Sequence, residues 1–134
     1  MRRHPLTRTL ARACLAIGLA GILVGCQALN ATDTPPAGAV QVTVATAAGE
    51  TLAFDPAELQ VGSIAPLTVT FRNGSTVAHN LTFTEGLTAA TRTIVEPGAI
   101  EQLHIVPPRP GTYPFVCTIH AEMTGQLVVA ASTG

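Results

Sequence analysis

Short stretches of alternating β-branched and polar residues, each ended by a turn signal, limit the fold of this chain most strongly. VQVTVAT at 40–46 and PLTVTFR at 66–72 have the two-residue period of strands, and Asn73-Gly74 ends the second. The same pattern predicts strands at 40–46, 51–54, 66–72, 79–85, 91–96, 99–106, 112–117 and 125–130. We therefore expect one all-β domain at 40–131, an antiparallel sandwich or barrel.

The first quarter of the chain differs from the rest. Four arginines lie within the first twelve residues, and Ala13–Gly25 carries no charge. Thirteen residues are too few for a bilayer, which needs roughly 20. A basic head followed by an apolar stretch of this length predicts a secretory signal peptide at residues 1–25. The alternative is a buried N-terminal helix.

The apolar stretch ends in Leu23-Val24-Gly25-Cys26, which resembles the bacterial lipobox. In that motif the signal is cut before a cysteine that then carries lipid, which predicts lipidation of Cys26. Residues 26–39 are rich in Ala, Thr and Pro and are expected to form a linker, which reaches roughly 45 Å when extended. The domain would then lie on the extracytoplasmic or periplasmic side of a bacterial membrane. The alternative is an ordinary signal with a chance cysteine.

Export changes both the charge and the cysteine count. Cys14 leaves with the signal and Cys26 is blocked by lipid, so Cys117 has no partner for an intramolecular disulfide. Three arginines and eight acidic residues remain, a net charge of −5, and the chain has no lysine. No basic patch exists to favour nucleic acid. A lone thiol in an exported protein is a candidate metal ligand.

The stretch CTIHAEM places Cys117, His120 and Met123 within seven residues. Thiolate and thioether are soft ligands, and a single Cys does not suit a structural zinc site. Cys, two His and a weak axial Met form the blue-copper set, which requires one more histidine. His79 opens a strand after a turn and fits that role. His104 lies inside a strand pattern and is expected to be a strand residue.

Two further stretches of the sequence resemble those of a known protein family. GTYPFVCTIHAEM followed by TGQLVV resembles the C-terminal signature of the cupredoxins, single-domain blue copper proteins, and His79-Asn80 resembles their upstream ligand segment. The resemblance implies a Greek-key β-sandwich or barrel at 40–131. It also implies one type 1 copper ion, bound by His79, Cys117, His120 and Met123.

The family resemblance also assigns supporting residues. Asn80 would brace the ligand loop through Thr118. The Cys-x-x-His-x-x-Met spacing resembles the short, amicyanin-like loop. Relatives commonly place Pro beside the loop histidine, whereas this chain has Ile119 and Ala121 there. The rigidity of the loop therefore stays open.

The implied function is single-electron transfer by Cu(I)/Cu(II) cycling. All four copper ligands would come from the protein, so no position is left for a substrate and we expect no enzyme. The edge of His120, ringed by small groups such as Ala78 and Ala121, would be the electron exit. The expected partners of this monomer are redox proteins such as a cytochrome or a membrane oxidase or reductase. The alternatives are a copper-delivery module with the same ligands and a metal-free sandwich.

Overall fold

Eight strands and no helix form the part of the protein that the computed structural model describes, residues 35–49 and 51–131. No segment there is a helix able to cross a membrane. The predicted signal peptide, Cys26 and most of the linker lie outside the described residues. The strands are β1 (Val40–Thr46), β2 (Phe54–Asp55), β3 (Glu58–Val61), β4 (Leu67–Arg72), β5 (Thr82–Phe83), β6 (Ile100–Ile105), β7 (Gly111–Val116) and β8 (Thr124–Val129).

The strands form two four-stranded sheets. The first sheet has the order β2-β1-β4-β6 and the second the order β3-β8-β7-β5. The all-β sandwich is confirmed, but the expectation of purely antiparallel pairing is wrong. β1 pairs with β4 in parallel, and β3 pairs with β8 in parallel. β1 and β4 can pair in parallel because the chain passes through β3 in the second sheet before it returns to the first sheet at β4.

Several local features differ from the prediction, beginning with the predicted strand 51–54, of which only Phe54 is strand, in β2. Only Thr82–Phe83 is strand within the predicted 79–85, and the predicted strand 91–96 is absent. Single bridges, His79 to Val95 and Thr82 to Ala90, hold these segments instead. The strand Glu58–Val61 was not predicted. These differences depend on pairing between distant segments, which a local side-chain period does not report.

Four phenylalanines form the centre of the core between the sheets. The ring of Phe115 lies edge-on to Phe54 and Phe83, with ring centroids 5.0 and 5.6 Å apart, and Phe54 contacts Phe71 at 6.1 Å. All four rings are buried. Edge-to-face pairs stabilise a fold by about 0.5–1.5 kcal/mol beyond the area they bury. The cluster therefore fixes the position of β7, which carries Phe115.

The pairing of β7 with β8 positions the segment that lies between them. Val116 pairs with Thr124 and Phe115 pairs with Gly125 in an antiparallel register. The seven residues 117–123 must therefore leave and re-enter the sheet at adjacent points. A short loop at one end of the sandwich is the result.

Gly125→Ala tests how closely the core is packed around β7. A Cβ at this position would lie 2.7 Å from the carbonyl oxygen of Ala57 and closer still to the ring of Phe115. Because the Phe115 ring is fully buried and the Ala57 oxygen belongs to the backbone, we expect a loss of about 1–3 kcal/mol in the free energy of unfolding. Urea denaturation measures it. Gly62→Ala is the matched control, since a Cβ at Gly62 meets nothing within 4 Å. Equal stability of the two variants would contradict the prediction.

Candidate metal centre

Three of the predicted ligands converge at one end of the sandwich. The ligand atoms of His79, Cys117 and His120 all lie within 4.8 Å of one another. The Cys117 Sγ is 3.8 Å from Nδ1 of His79 and 3.6 Å from Nδ1 of His120. The two imidazole rings lie 4.6 Å apart, tilted by 44°. A single ion could therefore contact all three donors.

The loop that follows β7 is closed by its own backbone. The amide of Cys117 donates to the carbonyl of Met123 at 2.9 Å, and the amide of Met123 donates to the carbonyl of His120 at 3.0 Å. These two bonds connect the three ligands that the loop carries. The loop is thus held by hydrogen bonds, although neither Ile119 nor Ala121 supplies the rigidity of a proline.

His79 reaches the site from the segment between β4 and β5. Its amide donates to the carbonyl of Val95 at 3.2 Å, and its carbonyl accepts from the amide of Val95 at 2.9 Å. This reciprocal pair fixes the backbone of the histidine on both sides. Sequence reasoning did not assign Val95 to the site, because its contribution comes from the backbone and has no side-chain signal.

Asn80 joins the two ligand-bearing segments. Its Nδ2 donates to the hydroxyl of Thr118 and to the carbonyl of Thr93, both at 2.8 Å. Its Oδ1 accepts from the amide of Thr118, also at 2.8 Å. The side chain is buried and every polar atom has a partner. The predicted contact between Asn80 and Thr118 is present, and it holds the residue next to Cys117.

Burial controls the electrostatics of the site. His79 and Cys117 are each 1% exposed, and Met123 is fully buried. Burial lowers the pKa of His79, and the nearby His120 lowers that pKa further. The neutral imidazole, which is the form that binds metals, is therefore favoured at His79.

The rim of the site is apolar. His120 is half-buried, so part of its ring reaches the surface. Val77 and Ile119 expose 47% and 40% of their surface, and Ala121 is also exposed. Ala78, by contrast, is half-buried. Glu122, which follows Ala121 in the chain, is exposed as well.

The remaining histidine of the described residues lies elsewhere. His104 is in β6, where it pairs with Thr68 of β4, and its Nδ1 is 3.1 Å from the Thr68 hydroxyl. It does not belong to the group of ligand atoms around Cys117. This position agrees with the prediction of a strand residue.

The donor chemistry of the site fits copper. Cys117 is free and buried, so its sulfur is available as a thiolate ligand. A thiolate, two imidazoles and a thioether match the blue-copper ligand set, and no other described Cys is present to build a zinc site. His79, Cys117, His120 and Met123 are arranged as a type 1 copper site.

Comparisons with known proteins agree with this geometry. A comparison with curated proteins found no match. Among solved structures, dithionite-reduced auracyanin from the photosynthetic bacterium Roseiflexus castenholzii is similar, with 28% identity and a TM-score of 0.58 over 69% of this chain and 99% of that one. An amicyanin variant in its reduced Cu(I) form at pH 4 is 28% identical, with a TM-score of 0.52 over 73% of this chain and 87% of its own.

An oxidized amicyanin variant is 27% identical, with a TM-score of 0.52 over 69% of this chain and 83% of its own. The sequence profile of the cupredoxin-like domain matches residues 14–129. That match begins within the predicted signal segment and includes all four proposed ligands. The extent of the match and the two-sheet fold show that this chain belongs to the cupredoxin-like domain family.

Proposed function

We propose that this protein carries single electrons between redox partners while tethered by lipid to the extracytoplasmic side of a bacterial membrane. The convergence of His79, Cys117 and His120 on one buried point, with Met123 in the same loop, supports the proposal most directly. When bound there, copper supplies the change between Cu(I) and Cu(II). The protein itself holds the donors and excludes water.

The closed donor set favours electron transfer over catalysis. With copper bound, four side chains of the protein would supply its ligands, so a substrate would have no open position. The loop bonds of Cys117 and Met123 and the bridge at His79 keep the donors in place. A carrier benefits from such a site, because ligands that stay in place need little rearrangement when the charge of the ion changes.

The surface next to His120 supplies an exit for the electron. The exposed edge of this imidazole is the only part of the four-residue donor set that is more than marginally accessible. The apolar side chains of Val77, Ile119 and Ala121 allow close contact with another protein. Partners such as a cytochrome or a membrane oxidase or reductase would dock there.

The structures of relatives support redox cycling. The auracyanin is described as reduced by dithionite, and amicyanin variants are described both as reduced Cu(I) and as oxidized forms. Those proteins share the fold of this chain at 27–28% identity. By analogy, the site of this chain holds copper in both oxidation states.

The proposed membrane tether rests on the N-terminal sequence. The basic head, the uncharged Ala13–Gly25 and Cys26 together match a lipoprotein signal. The first strand of the domain begins at Val40, and in this proposal residues 26–39 form the linker. A linker of that length permits the domain to reach partners near the membrane surface.

Cys117→Ser tests the copper site by colour. The wild-type domain loaded with Cu(II) is expected to be intensely blue, because the thiolate transfers charge to the ion. The variant replaces the soft sulfur with a hydroxyl of similar size and is expected to lose the band entirely. Visible absorption and electron paramagnetic resonance measure the result. A colourless wild-type Cu(II) protein would contradict the proposed blue copper site.

Cys26→Ser tests the tether in the full-length chain. Expressed in a bacterium that processes lipoproteins, wild-type protein is expected in the detergent phase, with the added mass of lipid on Cys26. The variant is expected to lack that mass. Cys14→Ser is the matched control and should behave as wild type, because this cysteine leaves with the signal. Wild-type protein free of lipid would refute the tether and leave the copper site untouched.

Ile119→Glu tests the proposed exit at His120. A carboxylate added to the apolar rim repels the same rim of a second copy, so electron self-exchange between Cu(I) and Cu(II) forms should slow by about tenfold or more at low salt. Line broadening in nuclear magnetic resonance spectra measures the rate. Thr112→Glu adds the same charge at the exposed start of β7, remote from His120, and should change the rate little.

Two results would count against a carrier with its exit at His120. Equal rates for Ile119→Glu and Thr112→Glu would place the exit elsewhere. Slow self-exchange in the wild type, combined with rapid transfer of copper to a metal-free acceptor, would favour the copper-delivery alternative.

A further inference from the structure

Asn73 is a buried polar residue that the sequence pattern identifies only as part of a turn. It follows β4 directly and precedes His79 by six residues. Only 1% of its surface is exposed. A turn residue with Gly74 beside it would normally be solvated. Its burial therefore indicates a structural role beyond that of a turn residue.

The amide of the Asn73 side chain makes four hydrogen bonds. Its Nδ2 donates to the carbonyls of Val77 and Val95, both at 2.8 Å. Its Oδ1 accepts from the amide of Ser75 at 3.1 Å and from the hydroxyl of Ser75 at 2.9 Å. The accepting half thus shapes the turn, while the donating half reaches out of the turn to a second segment.

The backbone of Asn73 contacts the same second segment. Its amide donates to the carbonyl of Ala99 at 2.9 Å, and its carbonyl accepts from the amide of Gly98 at 2.7 Å. Together with the side-chain bond to Val95, these bonds join the end of β4 to residues 95–99 at three points.

The carbonyl of Val95 is the link to the metal site. It accepts from Nδ2 of Asn73 and also from the amide of His79. The amide of Val95 donates back to the carbonyl of His79. The carbonyl of Val95 therefore accepts one hydrogen bond from the buried side chain of Asn73 and another from the backbone of the proposed ligand His79.

We infer that Asn73 is a positioning residue for the copper site, acting on His79 through the carbonyl of Val95. The carbonyl of Val77, two residues before His79, accepts from the same Nδ2 at 2.8 Å. The backbone that leads to His79 is thus restrained within its own loop, at Val77, and by the neighbouring segment, at Val95. This inference requires that the four residues bind copper, but it does not require that the protein carries electrons.

A carboxylate at position 73 distinguishes the role of the donating half of the side chain from that of the accepting half. Asn73→Asp keeps the shape and the accepting oxygen that Ser75 uses. It replaces the donor that faces Val77 and Val95 with an oxygen, so both carbonyls lose a donor and meet an acceptor instead, and the bond to Val95 is buried. The segment carrying Val95 should then move away from Asn73, and the backbone of His79 should move with it.

The test compares copper binding and the spectrum in Asn73→Asp and Asn73→Ala with those of the wild type. Residues that orient metal ligands typically contribute about 10- to 100-fold in metal affinity, and we expect a loss in that range. The charge-transfer band and the reduction potential should shift as well. Competition with a Cu(I) chelator, visible absorption and voltammetry measure the three quantities.

Two control variants distinguish positioning from general stability. Ser75→Ala removes the hydroxyl from the turn but keeps the bond from Asn73 to Val95, so its site properties should stay close to wild type. Tyr113→Phe removes the hydroxyl that donates to the carbonyl of Arg109 at 2.6 Å, at the other end of β7 from Cys117. It should lower the unfolding temperature without altering the copper spectrum.

The inference is wrong if the Asn73 variants lower the unfolding temperature as Tyr113→Phe does while affinity, spectrum and potential stay at wild-type values. It is equally wrong if Ser75→Ala alters the site as much as Asn73→Asp. If the Asn73 variants do not fold, hydrogen exchange in the wild-type protein tests the inference instead. The His79 amide and the Asn73 side-chain amide should both exchange slowly, and rapid exchange at either would contradict the inference.

Discussion

The reciprocal backbone bridge between His79 and Val95 is the constraint on which the metal centre depends. Cys117, His120 and Met123 come from one short loop, but His79 lies 38 residues earlier in the chain. A ligand from so distant a segment needs its own support. The two hydrogen bonds to Val95 supply it, and they do so within a segment that belongs to neither sheet.

Two buried asparagines hydrogen-bond to the segment that carries Val95. Asn80 donates to the carbonyl of Thr93 and joins this segment to Thr118, beside Cys117. Asn73 donates to the carbonyl of Val95. Residues 93–95 therefore act as a common support for both ligand-bearing segments. Such fully partnered polar groups restrict the backbone strongly, because an unpaired buried carbonyl or amide is costly.

The ligands could be predicted from sequence, whereas much of their support could not. A thiol, an imidazole and a thioether within seven residues restrict the metal through their chemistry alone, and His79-Asn80 resembles a known family segment. Asn73 was predicted only as a turn residue, and 91–96 was predicted as a strand. Burial of Asn73 and the single bridge at Val95 arise from contacts between segments, which neither residue type nor side-chain period reports.

Sequence alone determined the all-β class, the donor set and the expectation of copper, because strand periodicity and ligand chemistry are local properties. The structure decided the two parallel pairings, the strand Glu58–Val61 and the support of His79 by residues 93–95. Those features depend on which segments meet across the sandwich. Backbone groups make most of those contacts, and every residue except proline carries the same backbone donor and acceptor.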